Sequence, residues 1–254
     1  MDLTDEELGE AVLDAKKKKA RLLEAEKMEA LAAENRKLLT ERKWTMKQTA
    51  SFIMWRMSKM KKPFVVDEKN EVVMDLLTAY FSSDVSFIRL AEEYGVKNPR
   101  LDRGILLAGS VGVGKTTIME LFSKNQRQVY YLMSASEIAN TFLECKEKGE
   151  DFLDYIAMPK QLPINDPDNL YQVQMGLCID DLGTEMMKNN YGNRNNVVAS
   201  LIERRYEFDT MGSMFHITTN LTMDQLKESY GDRVASRLRE KMNIVHYKGS
   251  DRRK

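Results

Sequence analysis

Gly109-Ser110-Val111-Gly112-Val113-Gly114-Lys115-Thr116-Thr117 has the G-x-x-x-x-G-K-[ST] spacing of a phosphate-binding loop. It is entered by Gly104-Ile105-Leu106-Leu107-Ala108, an apolar run of strand character. It is left through Ile118-Met119-Glu120-Leu121-Phe122, which reads as a helix. Strand, glycine-rich turn and helix start are the context that gives the motif its meaning. The glycines let the backbone turn back on itself with its N–H groups aimed at a polyphosphate, and the positive end of the following helix adds to the field. Lys115 is placed to reach the β- and γ-phosphates of ATP, and the Thr116 hydroxyl to hold Mg²⁺. A loop that is merely glycine-rich leaves the lysine, the threonine and both flanking elements unexplained.

Downstream, Leu177-Cys178-Ile179-Asp180-Asp181 is an apolar run ending in acids. Such a strand delivers its carboxylates to its C-terminal edge, beside the phosphate loop. Asp180 is placed to hold Mg²⁺, and Asp181 to orient or deprotonate an attacking water. Met214-Phe215-His216-Ile217-Thr218 is another strand, closed by Thr219-Asn220. The Asn220 amide at that tip can place a γ-phosphate or the lytic water; the plain alternative is a turn residue. Gly231 to Arg239 reads as a helix with Arg233 and Arg237 on one face. Ile244 to Tyr247 is a last strand.

With 254 residues there is room for one α/β domain and a smaller appendage. Charged residues make up 31% and cancel to zero net charge, so no global basic field points to nucleic acid. Cys145 and Cys178 form no C-x-x-C pair, and His216 and His246 have no metal-ligand spacing. No apolar run approaches ~18 residues and the N-terminus is acidic, so neither a membrane span nor a signal peptide is expected. The expectation is a cytoplasmic protein.

The N-terminal third is different in character. Thr4-Asp5-Glu6-Glu7 has the form of a capping box, and Asp5 to Arg42 has strong helix composition. Leu8, Val12, Ala15 and Leu22 begin a seven-residue pattern that Lys19, Glu26 and Glu29 interrupt, so a coiled coil and a solvated helix both remain open. From Trp44 to Lys62 the chain has no acids and is rich in methionine. Met46, Ala50, Ile53, Met57 and Met60 share one helical face, with Lys47, Arg56, Lys59, Lys61 and Lys62 supplying positive charge. That seam suits docking in a partner's groove, packing on its own domain, or contact with single-stranded DNA. Lys61-Lys62-Pro63 reads as a hinge, dividing a helical partner-binding region, 1–62, from an ATPase domain, 63–254.

Two amphipathic helices follow, over Val72 to Phe81 and over Val85 to Tyr94, and are expected to lie against the base and ribose of the nucleotide. Val129 to Met133 reads as a strand and Ser136 to Lys148 as a helix with Ile138, Phe142 and Leu143 turned inward. Gly149 to Gln172, with three prolines, reads as an irregular insertion around a short helix at Phe152 to Ile156. Asn189 to Asn196 reads as a polar loop ahead of a helix carrying Val197, Val198, Leu201, Ile202 and Tyr206.

Taken in order, these motifs resemble the AAA+ ATPases of the DnaC/DnaI helicase-loader family, with the IstB transposition ATPases close behind. From about Pro63 onward, Gly109–Thr116 is similar to Walker A, Ile179-Asp180-Asp181-Leu182-Gly183-Thr184-Glu185 to Walker B, and Thr218-Thr219-Asn220-Leu221 to sensor 1. The Gly231–Leu238 stretch resembles the helix that carries the family's arginine finger, with Arg237 the first choice and Arg233 the second. Gly249-Ser250-Asp251-Arg252 resembles its terminal segment, making Arg252 a sensor-2-like residue.

The resemblance implies a P-loop NTPase fold with an ASCE-type parallel sheet flanked by helices, and an α-helical N-terminal extension. It implies ATP and Mg²⁺ bound between subunits of a homo-oligomer, contact with single-stranded DNA, and an N-terminal region that grips a replicative helicase. Asp181 stands where AAA+ proteins commonly carry glutamate, which leaves Glu185 as the alternative base. Other readings use the same loop. An IstB-like regulator would bind a transposase, and a nucleotide-gated switch would have negligible turnover. A small-molecule kinase would carry an Arg-rich lid and have no need of the late arginine helix.

Overall fold

The structure is a computed structural model. It describes residues 44–61, 64–125, 127–166, 169–185, 197–208, 214–249 and 251–252, the side chains of 160–174 excepted. The expected N-terminal helix, the Pro63 hinge and the polar loop at 189–196 lie outside the described residues.

Alternating apolar strands and amphipathic helices call for a parallel sheet covered on both faces. The described elements are α1 (Met46–Ser58), α2 (Glu71–Phe81), α3 (Ser86–Glu93), β1 (Gly104–Gly109), α4 (Lys115–Phe122), β2 (Tyr130–Ser134) and α5 (Ala135–Glu144). A 3₁₀ turn at Lys146–Lys148 leads to α6 (Gly149–Ala157), β3 (Lys160–Asp166), β4 (Asn169–Leu182), α7 (Val197–Glu207), β5 (Phe215–Thr219), α8 (Met223–Lys241) and β6 (Met242–Tyr247). Five strands run in the order β2-β4-β5-β1-β6, and every neighbouring pair is parallel.

Contacts separate the chain into two units. The larger, Lys43–Leu162 with Val173–Lys254, holds this five-stranded sheet core. The described part of the smaller, 163–166 and 169–172, belongs to β3 and β4, which pair with each other.

Strand period decides which side chains go where. On β1, Ile105 and Leu107 enter one core with Tyr80, Phe81, Phe87 and Phe122, while Leu106 and Ala108 enter the other with Ile179, Leu201, Ile217 and Leu238. Burial on both faces is why the strand before the phosphate loop is an unbroken apolar run. Among the described residues no helix is long and apolar enough to cross a membrane.

Several expectations change here. The methionine seam of α1 is turned into the protein's own core: Ile53 is buried, and Met46, Met57 and Met60 pack beside it. Arg56 secures the helix by donating from Nη1 to Leu121 O, 2.5 Å away at the end of α4. The proline-rich insertion does hold the short helix α6, but it continues into β3 and β4 instead of irregular chain. β3 pairs with β4 alone, an edge position that tolerates proline. Leu143 is exposed at the end of α5, whereas Ile138 is buried. Gly231, at φ 88° and ψ 163°, breaks α8 into two helical segments.

Candidate functional site

β1 ends at Gly109, beside Tyr247 of β6. A Cβ on Gly109 would lie 2.5 Å from the Tyr247 carbonyl oxygen on β6, so only glycine lets the chain leave the sheet here. Gly112 and Gly114 then take φ of 79° and 100°, a region that side chains rarely adopt. Val113 turns into the core. The helix α4 starts at Lys115, whose Nζ donates to Gly109 O and Ser110 O, both at 2.9 Å, and to Asn220 Oδ1 at 2.5 Å. The ammonium is thereby held over the loop by the β5 tip, with its three donors met.

The acids arrive by a break in the ladder between β4 and β5. Ile179 pairs with Ile217 and Leu182 with Thr219, so one more residue lies on β4 than on β5 between those pairs. Asp181 takes φ 51° there, and its carbonyl accepts from the Thr184 N–H at 3.1 Å and the Thr184 hydroxyl at 2.9 Å. The effect is to turn the two adjacent acids in different directions. Asp180 accepts from the Thr116 hydroxyl at 2.9 and 3.0 Å and from the Thr218 hydroxyl at 2.6 Å. Asp181 faces the cleft. Glu185 does not: it is buried, accepting from Gly183 N at 3.0 Å and from the Tyr230 hydroxyl. Burial, then the Glu185 charge, pushes the Tyr230 hydroxyl far above its ordinary pKa, so it remains a donor to that carboxylate.

The cleft over the loop measures about 890 Å³ and is lined by Gly112, Lys115, Thr116, Thr117, Asp181 and Asn220 on the phosphate side. Met60, Phe64, Val65, Asp67 and Lys69, from the stretch between α1 and α2, line it as well. No residue of α2 or α3 lines the cleft, and Leu76, Leu77, Tyr80 and Phe87 on them are fully buried in the core. Nothing in the sequence pattern of Phe64 to Lys69 marked it; only the course of the chain brings it there. Arg252 and Asp251 also line the cleft. Arg252 donates its N–H to Gly112 O at 3.0 Å and its guanidinium to Asp67 Oδ1 at 2.6 Å. That hydrogen bond, before any other cause, holds the Asp67 carboxyl below its ordinary range.

The two arginines of α8 stand outside the cleft. Arg237 is buried, its guanidinium 4.4 Å above the Tyr206 ring, 3.5 Å from Glu203 and 3.7 Å from Glu207. Arg233 reaches the same two acids of α7, Glu203 and Glu207, at 3.5 Å each, with its side chain 67% exposed. The two differ in exposure: Arg233 presents its charge outward, and Arg237 is packed.

A nucleotide and its metal fit this donor set. Among the described residues no group of three or more His, Cys, Asp or Glu stands together as a metal cage. Mg²⁺ does not ask for one, since it commonly takes one or two protein ligands and completes its shell with phosphate oxygens and water. The adjacent Thr116 hydroxyl and Asp180 carboxylate suit that role.

In the sheet, β5 stands between β1, which carries the phosphate loop, and β4, which carries the acids. Together with the loop, that arrangement is a P-loop NTPase fold of the ASCE type. Among solved structures the chain is similar to "a putative primosome component from Streptococcus pyogenes serotype M3", at 18% identity over 74% of this chain and 86% of that one, with a TM-score of 0.43. It is also similar to DnaI, at 21% identity over 72% of this chain and 88% of that one, with a TM-score of 0.41. No family model and no curated protein matches the chain.

Proposed function

We propose that the protein binds ATP with Mg²⁺, hydrolyses it, and uses the cycle to load a replicative DNA helicase. The observation that carries the nucleotide part is the convergence of Lys115, Thr116, Asp181 and Asn220 on one cleft, with Asp180 directly behind Thr116. Lys115 would exchange its loop carbonyls for the β- and γ-phosphates. Asn220, now on the lysine, would turn to the γ-phosphate or the attacking water. Asp181 would take the proton from that water, a role for which the sequestered Glu185 is poorly placed. Mg²⁺, held by Thr116 and Asp180, would supply neutralisation of phosphate charge.

The loader part rests on the order of the motifs from Walker A to the terminal arginine. The seam of α1 is covered, so the partner-gripping part is assigned to the residues ahead of α1 and to its exposed Met54 and Trp55. Assembly would bring a neighbour's arginine to the cleft, and Arg233 is the one whose exposure supports that. Steady-state ATP hydrolysis by the full chain tests the enzyme reading. Turnover should require Mg²⁺, and Asp181→Asn should lose at least about tenfold in rate while still binding ATP. An unchanged rate in Asp181→Asn would remove it as the base. A wild-type chain that binds ATP without measurable turnover would favour the nucleotide switch.

A further inference from the structure

We propose that the Thr218 hydroxyl is a positioning group that fixes both acids of the β4 tip, and that metal-supported nucleotide binding depends on it. This inference rests on the nucleotide-site reading above.

Thr218 is fully buried on β5. Its Oγ1 lies 2.6 Å from Asp180 Oδ1 and 2.8 Å from the Asp181 nitrogen. A hydroxyl has one proton, and a backbone N–H can only donate. The hydroxyl therefore accepts from Asp181 and gives its own proton to Asp180. One side chain holds the carboxylate of the first acid and the backbone of the second. It does so where β4 slips against β5 and Asp181 takes φ 51°.

Packing does not require this hydroxyl, since valine has nearly the same shape and equal strand preference. What it adds is direction. Asp180 is gripped from the loop side by Thr116 and from the sheet side by Thr218. Thr116 is also the group that the metal would take, which leaves Thr218 as the grip independent of the ligand. Two residues on, Asn220 accepts from Lys115, so the tip of β5 sets the lysine and both acids together.

The test is titration of the full chain with a fluorescent ATP analogue, in Mg²⁺ and in EDTA, for wild type, Thr218→Val and Thr218→Ser. A lost hydrogen bond to a charged group predicts that Thr218→Val binds about tenfold more weakly in Mg²⁺. In EDTA it should stay within about twofold of wild type, and Thr218→Ser, which restores the hydroxyl, should recover to within about threefold in Mg²⁺. Thr218→Val equal to wild type in Mg²⁺ would overturn the assignment, as would a serine variant as weak as the valine one. Should Thr218→Val lose its cooperative melting transition, Thr218→Cys, a weaker donor of similar size, should show a partial loss in Mg²⁺ alone; none, or an equal loss in EDTA, overturns the assignment. Failure of the wild type itself to bind would instead refute the nucleotide site.

Discussion

Acid should destabilise this protein through one buried histidine. His216 lies on β5, fully buried, with Nδ1 accepting from the Ile105 N–H at 3.1 Å and its ring 4.6 Å from that of Tyr130. Burial first, then the charges of Arg127 and Arg205, pulls its pKa from 6.5 down to about 3. The native protein thus keeps the ring neutral at pH values where the unfolded chain protonates it. Stability is fully present above about pH 6.5 and is lost as the pH falls toward about 3. Between pH 7 and pH 5 the cost works out at about 2 kcal/mol, from 1.36 kcal/mol per unit over about 1.5 units. Urea unfolding at the two pH values measures it in wild type and in His216→Asn, whose amide oxygen can still accept from Ile105. The variant is less stable throughout, yet its loss between pH 7 and pH 5 should be smaller than that of wild type by that amount. Equal losses in the two proteins would refute the argument.

Arg237→Ala should cost about 1–2 kcal/mol in a thermal or urea melt, because it uncovers Tyr206 and leaves Glu203 with Arg233 alone of the two guanidinium partners. Arg233→Ala should change stability by less than about 0.5 kcal/mol. It should nonetheless lower ATP turnover, and mixing it with Lys115→Ala subunits should recover part of the rate if the arginine acts across an interface. Gly112→Ala should weaken ATP binding, since its Cβ would sit 2.1 Å from Asp251 Oδ1 and its φ is 79°. Adding Asp251→Ala should relieve the clash but not the backbone strain.

What the sequence revealed and what it hid follow from the range of each interaction. The loop was legible because glycine, lysine and threonine spacing acts within nine residues, and the acids because an apolar run ending in Asp180-Asp181 is equally local. The helix of α1 was legible too, but its partner was not. Periodicity shows that Ile53 and Met57 share a face and says nothing of what covers it. The wall at Phe64 to Lys69 lacks a motif and becomes part of the cleft only through the path of the chain. Arg237 and Arg233 are indistinguishable by type and spacing, and only the packing of Tyr206 separates them. The pair β3 and β4 was hidden because three prolines outweighed the alternation of Leu162 with Ile164 and of Tyr171, Val173 and Met175.

The central claim is that the loop from Gly109 to Thr117 holds a nucleotide through Lys115. Calorimetric titration of the full chain with ATP in Mg²⁺ tests it most directly, in wild type and in Lys115→Ala. Wild type should bind one nucleotide per chain, and the variant, which loses the ammonium held over the loop by Gly109, Ser110 and Asn220, should bind at least about a hundredfold more weakly. Equal affinity in the two proteins would contradict the account.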